Sequence, residues 1–251
     1  MALMLAGDQT FTDLKQVQTG RISVIIVTYN AAATLQVCLE SIYNQSHKDL
    51  EIIVIDGKST DGTVEILEQN AGKLAFWNSE KDEGVYEAMN KGTKHVTGQW
   101  VYFLGADDEL LPGFSDIANE LIDPDAIYYG NVFAEGKIRL GELTRYQIAK
   151  CGPYHQAIIY PASVFKEYNY NTSYKISADF ALTLQLCGNR AYHFVYKNYV
   201  LANFNHEGIS GKNIDHKFQH DKAKLVLNNF GLVTWFRYLV HRFKHRDDPR
   251  A

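Results

Sequence analysis

Hydrophobic positions in the first half of the chain alternate between two rhythms. Ile22-Ser-Val-Ile-Ile-Val-Thr28 is a nearly continuous β-branched run, which predicts a strand covered on both faces. From Ala31 to Asn44 the apolar residues Leu35, Cys38, Leu39 and Ile42 share one helical face. Glu51–Ile55 reads as a second buried strand, closed by the turn-rich Asp56-Gly-Lys-Ser-Thr-Asp-Gly62. A helix is predicted over Thr63–Gln69, with Thr60 or Asp61 as its cap. Leu74–Asn78, Val85–Val96 and Trp100–Leu104 continue the pattern as strand, helix and strand, ending at Gly105-Ala-Asp-Asp108. Such alternation predicts an α/β fold whose mostly parallel central sheet is flanked by helices and joined by right-handed crossovers.

Beyond Pro112 the rhythm changes. Residues 126–160 read as short strands and turns, followed by helices near Ala162–Glu167 and Ala178–Cys187 and a strand over Tyr192–Phe204. His206–Lys212 is expected to be a loop, and two helices fill 213–245. One domain over 1–230 is therefore expected, with a ligand-binding half at about 22–113 and a more irregular half at about 114–230. Residues 231–251 are expected to form a basic amphipathic helix and tail.

Ligands of parallel α/β sheets bind beyond the carboxyl ends of the strands. Three polar clusters fall at such ends: Thr28-Tyr29-Asn30, Asp56–Asp61, and Asp107-Asp108. No GxGxxG follows the first strand, and neither a GxxxxGK[ST] loop nor a GxSxG elbow occurs, which argues against dehydrogenase, P-loop and serine-hydrolase chemistry. Adjacent carboxylates such as Asp107 and Asp108 repel each other and need a cation or hydrogen-bond donors nearby. Mg²⁺ or Mn²⁺ with a diphosphate would meet that need; a solvated turn capping the next helix is the structural alternative.

Four segments, taken in order, resemble the bacterial family-2 glycosyltransferases. They are Ile22–Asn30, Val54–Thr63, Asp82-Glu-Gly-Val-Tyr-Glu-Ala-Met-Asn-Lys-Gly92 and Phe103–Asp108. The resemblance is close over about 22–113 and weaker to about 213. It implies a GT-A fold, an inverting mechanism, a nucleotide-sugar donor linked to UDP or GDP, and Mn²⁺ or Mg²⁺. On that resemblance Thr28, Tyr29 and Asn30 lie against the nucleoside and Asp56 accepts from the base. Asp82, Glu83, Gly84, Asn90 and Lys91 approach ribose and donor phosphates, Asp107 touches ribose or sugar, and Asp108 binds the metal. Lys58 departs from the pattern, since many relatives carry Gly there.

The same resemblance puts the catalytic base at Asp179, in Ile176-Ser-Ala-Asp-Phe-Ala-Leu182, at the start of a helix whose N-terminus favours a carboxylate. It also implies an acceptor-side patch at His155-Gln156 and a donor-closing loop at Asn205–Gly208, in which His206 is a further metal ligand and Glu207 the next candidate base. The expected reaction is hexosyl transfer to a saccharide hydroxyl, lipid-linked or free, in cell-surface polysaccharide assembly. Two other functions compete: a nucleotidyltransferase, which normally needs a basic Gly-rich loop absent from Thr28–Ala33, and a nucleotide-sugar-binding scaffold without turnover.

Charge and composition refine the partners. Net charge is −4, but residues 231–251 alone carry +3, so the body is acidic and no nucleic-acid partner is expected. Over Phe230–His245, Leu232, Trp235, Phe236, Leu239 and Phe243 combine with Arg237, Arg242 and Lys244, as in helices that lie on anionic membranes. An anionic membrane surface and a second copy of the chain are thus candidate partners. Three scattered cysteines, an N-terminus without a basic region and no 18-residue apolar run predict a cytoplasmic protein, at most peripheral on the inner face of the cell membrane.

Overall fold

The computed structural model describes residues 20–205 and 214–245. Its centre is a sheet of nine strands among the described residues: β1 (Ile22–Thr28), β2 (Leu50–Asp56), β3 (Phe76–Ser79), β4 (Trp100–Gly105), β5 (Glu109–Leu110), β6 (Ala126–Ala134), β7 (Lys137–Arg139), β8 (Ile158–Pro161) and β9 (His193–Asn203). They run in the order β3-β2-β1-β4-β8-β6-β9-β5, with β7 paired to β6. The first four are parallel, with Thr28 beside Asp56 and Val27 beside Gly105, so their C-terminal ends line up along one rim. The second half mixes directions: β8 is antiparallel to both β4 and β6, while β6 and β9 are parallel.

Alternate residues of the apolar strands feed two cores, as strand pleating requires. Ile25, Ile53, Ile55, Val101 and Phe103 face α3 (Val85–Gly92), α7 (Ala178–Gly188) and α8 (His216–Lys244). Ile22, Val24, Ile26, Ile52, Val54, Tyr102 and Leu104 face α1 (Leu35–Tyr43) and α4 (Pro112–Ala118). The remaining helices are α2 (Thr63–Asn70), α5 (Arg145–Lys150) and α6 (Val164–Glu167).

Several elements differ from the sequence expectation for local reasons. The helix expected from Ala31 begins at Leu35, because the amides of Ala31 and Ala32 bond to Thr63 Oγ1 and Asp61 Oδ2 across the rim. The helix expected to reach Val96 ends at Gly92 and finishes in a single tight turn, Thr93–His95. The third strand is shifted to Phe76–Ser79 and pairs only with β2. The stretch expected to hold short strands contains the nine-residue β6, and α4 is an additional helix marked by Pro112 at its first position.

The two helices expected over 213–245 are the two arms of α8, broken at Gly231 (φ 78°, ψ 174°). Beyond that break Tyr238 is fully buried, and Trp235 and Leu239 pack on the core. Leu232, Val233, Phe236, Val240 and Phe243 face outward. Among the described residues no helix is long and apolar enough to cross a membrane.

Candidate active site

The rim at the ends of β1, β2 and β4 is laced by short polar contacts. The backbone N–H of Asn30, itself at φ 50°, donates to Ser59 Oγ (2.7 Å), and Asn30 Oδ1 accepts from Thr60 N–H (3.0 Å). Asp61 accepts from the Ala32 and Thr63 amides and from the Thr63 hydroxyl, which holds its carboxyl below the usual range. Asp56 is fully buried and accepts from Ser59 N–H (2.9 Å), Ser79 Oγ (2.5 Å) and Ser59 Oγ. Beside it Thr28 Oγ1 is buried without a partner, whereas Tyr29 is 68% exposed.

Asp82 reaches the same rim. A Cβ at Gly57 would lie 2.8 Å from Asp82 Oδ2 and 3.3 Å from the Tyr29 ring, so glycine is what lets both close on the backbone. Asp82 Oδ1 accepts from Gly84 N–H (2.9 Å), and Gly84 takes φ 132° to start α3. Glu83 is exposed, its amide bonded to Glu87. Asn90 and Lys91 are engaged internally. Asn90 exchanges two 2.9 Å hydrogen bonds with the backbone of Tyr170, and Lys91 pairs with Glu80 (2.9 Å) and Glu87 (3.3 Å).

The two acidic residues after β4 differ in setting. Asp107 is exposed, while Asp108 is 1% exposed and accepts from Asn205 N–H (2.9 Å), Gln156 Nε2 (2.9 Å) and Gly105 N–H (3.2 Å). Burial pushes the Asp108 carboxyl up to about 6; those donors oppose the rise and the neighbouring Asp107 charge adds to it. A divalent cation would offset both burial and repulsion, so the pair fits the metal that the family resemblance implies. Among the described residues no third His, Cys, Asp or Glu completes a ligand set, and diphosphate oxygens and water would have to do so. His206 and Glu207 lie outside the described residues.

Asp179 stands in the first turn of α7. Its Oδ1 lies 2.8 Å from the hydroxyl of Tyr86, a buried residue of α3 that also reaches the Ile176 carbonyl (2.6 Å). The backbone ahead of Asp179 is pinned separately: Asp215, which caps α8 through Phe218 N–H (3.0 Å), accepts from Ile176 N–H (2.9 Å) and Ser177 N–H (3.3 Å). Contacts run unbroken from the acidic turn to Asp179. Gln156 touches Asp108, the adjacent His155 bonds to Tyr170 Oη (2.8 Å), and the Tyr170 ring lies 5.4 Å from that of Tyr86. His155 stacks on Phe103 (4.9 Å), and burial lowers its basicity below the ordinary value.

Thr28, Tyr29, Asn30, Asp56, Asp82 and Asp107 therefore share one rim, with Asp108 and Gln156 joined behind it. Asp179 and His155 are connected to it through buried tyrosines. Tyr86, Tyr170 and Asp215 were not singled out by the sequence, and Asn205 only as the first residue of the expected donor-closing loop. Tyr86 carried one available signal, its place inside the Asp82–Gly92 segment.

Comparisons with known proteins bear on the family and the fold. The model of the family described as "Glycosyl transferase family 2" matches residues 23–195. A "PGL/p-HBAD biosynthesis glycosyltransferase" of Mycobacterium bovis is 34% identical over 209 residues, covering 78% of this chain and 81% of its own. A "GalNAc(5)-diNAcBac-PP-undecaprenol beta-1,3-glucosyltransferase" of Campylobacter jejuni is 35% identical over 120 residues, 46% of this chain and 39% of its own. The S. aureus TarS fragment solved with UDP-GlcNAc superposes with a TM-score of 0.68 at 18% identity, covering 91% of this chain and 74% of that one. At that identity the likeness speaks for the GT-A fold alone.

Proposed function

The chain belongs to glycosyl transferase family 2, and we propose that it is a metal-dependent inverting hexosyltransferase that uses a UDP- or GDP-sugar and a saccharide hydroxyl acceptor. The observation that carries this reading is the placement of Asp179. It sits at a helix start, bonded to Tyr86 on the helix that follows Asp82-Glu83-Gly84. A carboxylate there takes the proton of the acceptor hydroxyl while that oxygen bonds to the anomeric carbon. The bond from that carbon to the diphosphate breaks, and the diphosphate leaves with the electron pair.

On this reading Tyr29 offers an exposed ring to the nucleoside, while Asp56 and Asp82 border the same space. Mn²⁺ or Mg²⁺, held by Asp107 and Asp108, would offset charge on the departing diphosphate. The nucleoside diphosphate and the sugar are tested together by thermal shift across a panel of nucleotide sugars, with and without Mn²⁺. Nucleoside diphosphate released only when acceptor is present supports transfer. Binding without such release supports the scaffold alternative, and the anomeric configuration of the product tests inversion.

A lipid-linked saccharide is the acceptor we favour. The outward face of α8 beyond Gly231 carries Leu232, Val233, Phe236, Val240 and Phe243 beside Arg237 and Lys244, the composition of a helix resting on an anionic membrane. The name of the Campylobacter relative, a GalNAc(5)-diNAcBac-PP-undecaprenol beta-1,3-glucosyltransferase, is in keeping with that acceptor.

A further inference from the structure

Tyr86 has one hydroxyl proton and two acceptors within reach, Ile176 O at 2.6 Å and Asp179 Oδ1 at 2.8 Å. Only one can receive the proton at a time. An ionised carboxylate is the stronger acceptor, so with Asp179 charged the proton points to Oδ1. Once Asp179 holds a proton of its own, the Tyr86 hydroxyl can turn to the Ile176 carbonyl and accept from the new carboxyl O–H. Both states of the acid then keep every buried polar group satisfied, which a phenylalanine could not achieve.

We propose that Tyr86 is a positioning residue that holds Asp179 for proton abstraction and adapts to both of its protonation states, a role resting on the assignment of Asp179 as base. No proton is gained or lost by Tyr86. The acceptor's proton ends on Asp179, and the phenol changes only the direction of its hydrogen bond. The other titratable groups facing Asp179 are Tyr160 of β8 and, from the connecting segments, His155 and Tyr170. Burial first, and the Asp179 charge second or later, raises all three phenols above their ordinary range, so they stay uncharged. Burial likewise favours the neutral form of His155. Donation from Tyr86 is thus the contact with Asp179 that responds to its charge.

Tyr86 also belongs to α3, which directly follows Asp82, Glu83 and Gly84. The contact therefore joins the donor side of the cleft to the base. Packing alone would explain a buried aromatic here, since the ring lies 5.4 Å from that of Tyr170. The hydroxyl must be tested apart from the ring.

Tyr86→Phe keeps the ring, and a melting curve checks that the fold is held. Turnover is expected to fall by roughly 10- to 100-fold, the size of one hydrogen bond to a charged group. Loss of a donor to the ionised form should also move the acidic limb of the rate–pH profile to higher pH. Donor Kd should stay within about twofold. In an Asp179→Asn background the same change should add little, because the group it acts through is already disabled. A Tyr86→Phe enzyme with the wild-type pH profile, beside an inactive Asp179→Asn enzyme, overturns the Tyr86 role and leaves the base in place. Full turnover by Asp179→Asn overturns the base assignment itself, and the Tyr86 role with it.

Discussion

The backbone N–H of Asn205 donates to Asp108 Oδ1 across 2.9 Å, joining the end of β9 to the acidic turn after β4. Asp108 is thus fixed by main chain and by Gln156 while its carboxyl is raised to about 6. A group raised in the folded state binds its proton as pH falls from about 6 toward the ordinary value near 4. Without metal, Asp108 therefore destabilises the fold above pH 6 and is relieved below it.

Asp108→Asn is accordingly expected to leave the metal-free protein at least as stable at pH 7, by denaturant titration. The same substitution should abolish the Mn²⁺-dependent part of donor affinity, read by calorimetry against EDTA. In the unsubstituted chain that part should fade as pH drops below about 6. Equal affinity with Mn²⁺ and with EDTA would remove the metal from the mechanism.

Lys58 occupies the left-handed region at φ 67°, in the loop that follows β2. A side chain there costs about 1–2 kcal/mol, partly returned through the stiffer unfolded chain. Lys58→Gly is expected to stabilise by up to about 1 kcal/mol, or roughly 2–4 °C in a chain of this size. A simultaneous loss of donor affinity would assign the ammonium to the donor phosphates. A lower melting temperature would mean that the side chain makes a contact worth more than the strain.

How much of this was legible beforehand depended on the range of the interactions. The continuous apolar runs of β1, β2 and β4 announce buried parallel strands locally, and the polar clusters that follow mark the rim. The placements of β6 and β8 depend on long-range pairing, which short apolar runs do not encode. Asp179 was legible only through resemblance. Its partner Tyr86 lies 93 residues away, and Asp215, 36 residues away, holds the preceding Ile176 and Ser177 amides, so both act through tertiary packing. Asn90 and Lys91 add contacts their residue types do not announce: Asn90 holds the Tyr170 backbone, and Lys91 pairs with Glu80 and with Glu87 one turn away on the same helix.

Lys222 is 2% exposed, donates to the Lys150 carbonyl (3.0 Å) and lies over the rings of Phe180 (5.2 Å) and Tyr238 (5.3 Å). Burial pushes its ammonium down to about 8. Between about 8 and the ordinary value near 10.4 the unfolded chain binds the proton and the folded one does not, so this group makes stability rise with pH there. Lys222→Met is expected to be neutral or stabilising at pH 7 and to remove that rise, as measured by urea titrations at pH 7.5 and 9.5. A persistent slope in the variant would place its origin elsewhere.

Beyond Gly231, α8 turns its two faces to different surroundings. Trp235, Tyr238 and Leu239 hold the arm to the core, so deleting it should cost stability as well as any surface binding. The outward residues permit a cleaner test. Phe236→Ser with Val240→Ser leaves the packed face intact, and the melting temperature should change little. If this face rests on a membrane, the double variant should bind anionic vesicles several-fold more weakly, while donor binding is unchanged. Arg237→Gln with Lys244→Gln should weaken binding to anionic but not neutral vesicles, because each cation near such a surface contributes about 1 kcal/mol. Salt should remove only that charge-dependent part, leaving the apolar contribution of Phe236 and Val240. Vesicle binding unaffected by all four substitutions would exclude this face as the docking surface. A wild-type dimer that dissociates in the double variant would instead assign the apolar stripe to a second copy of the chain.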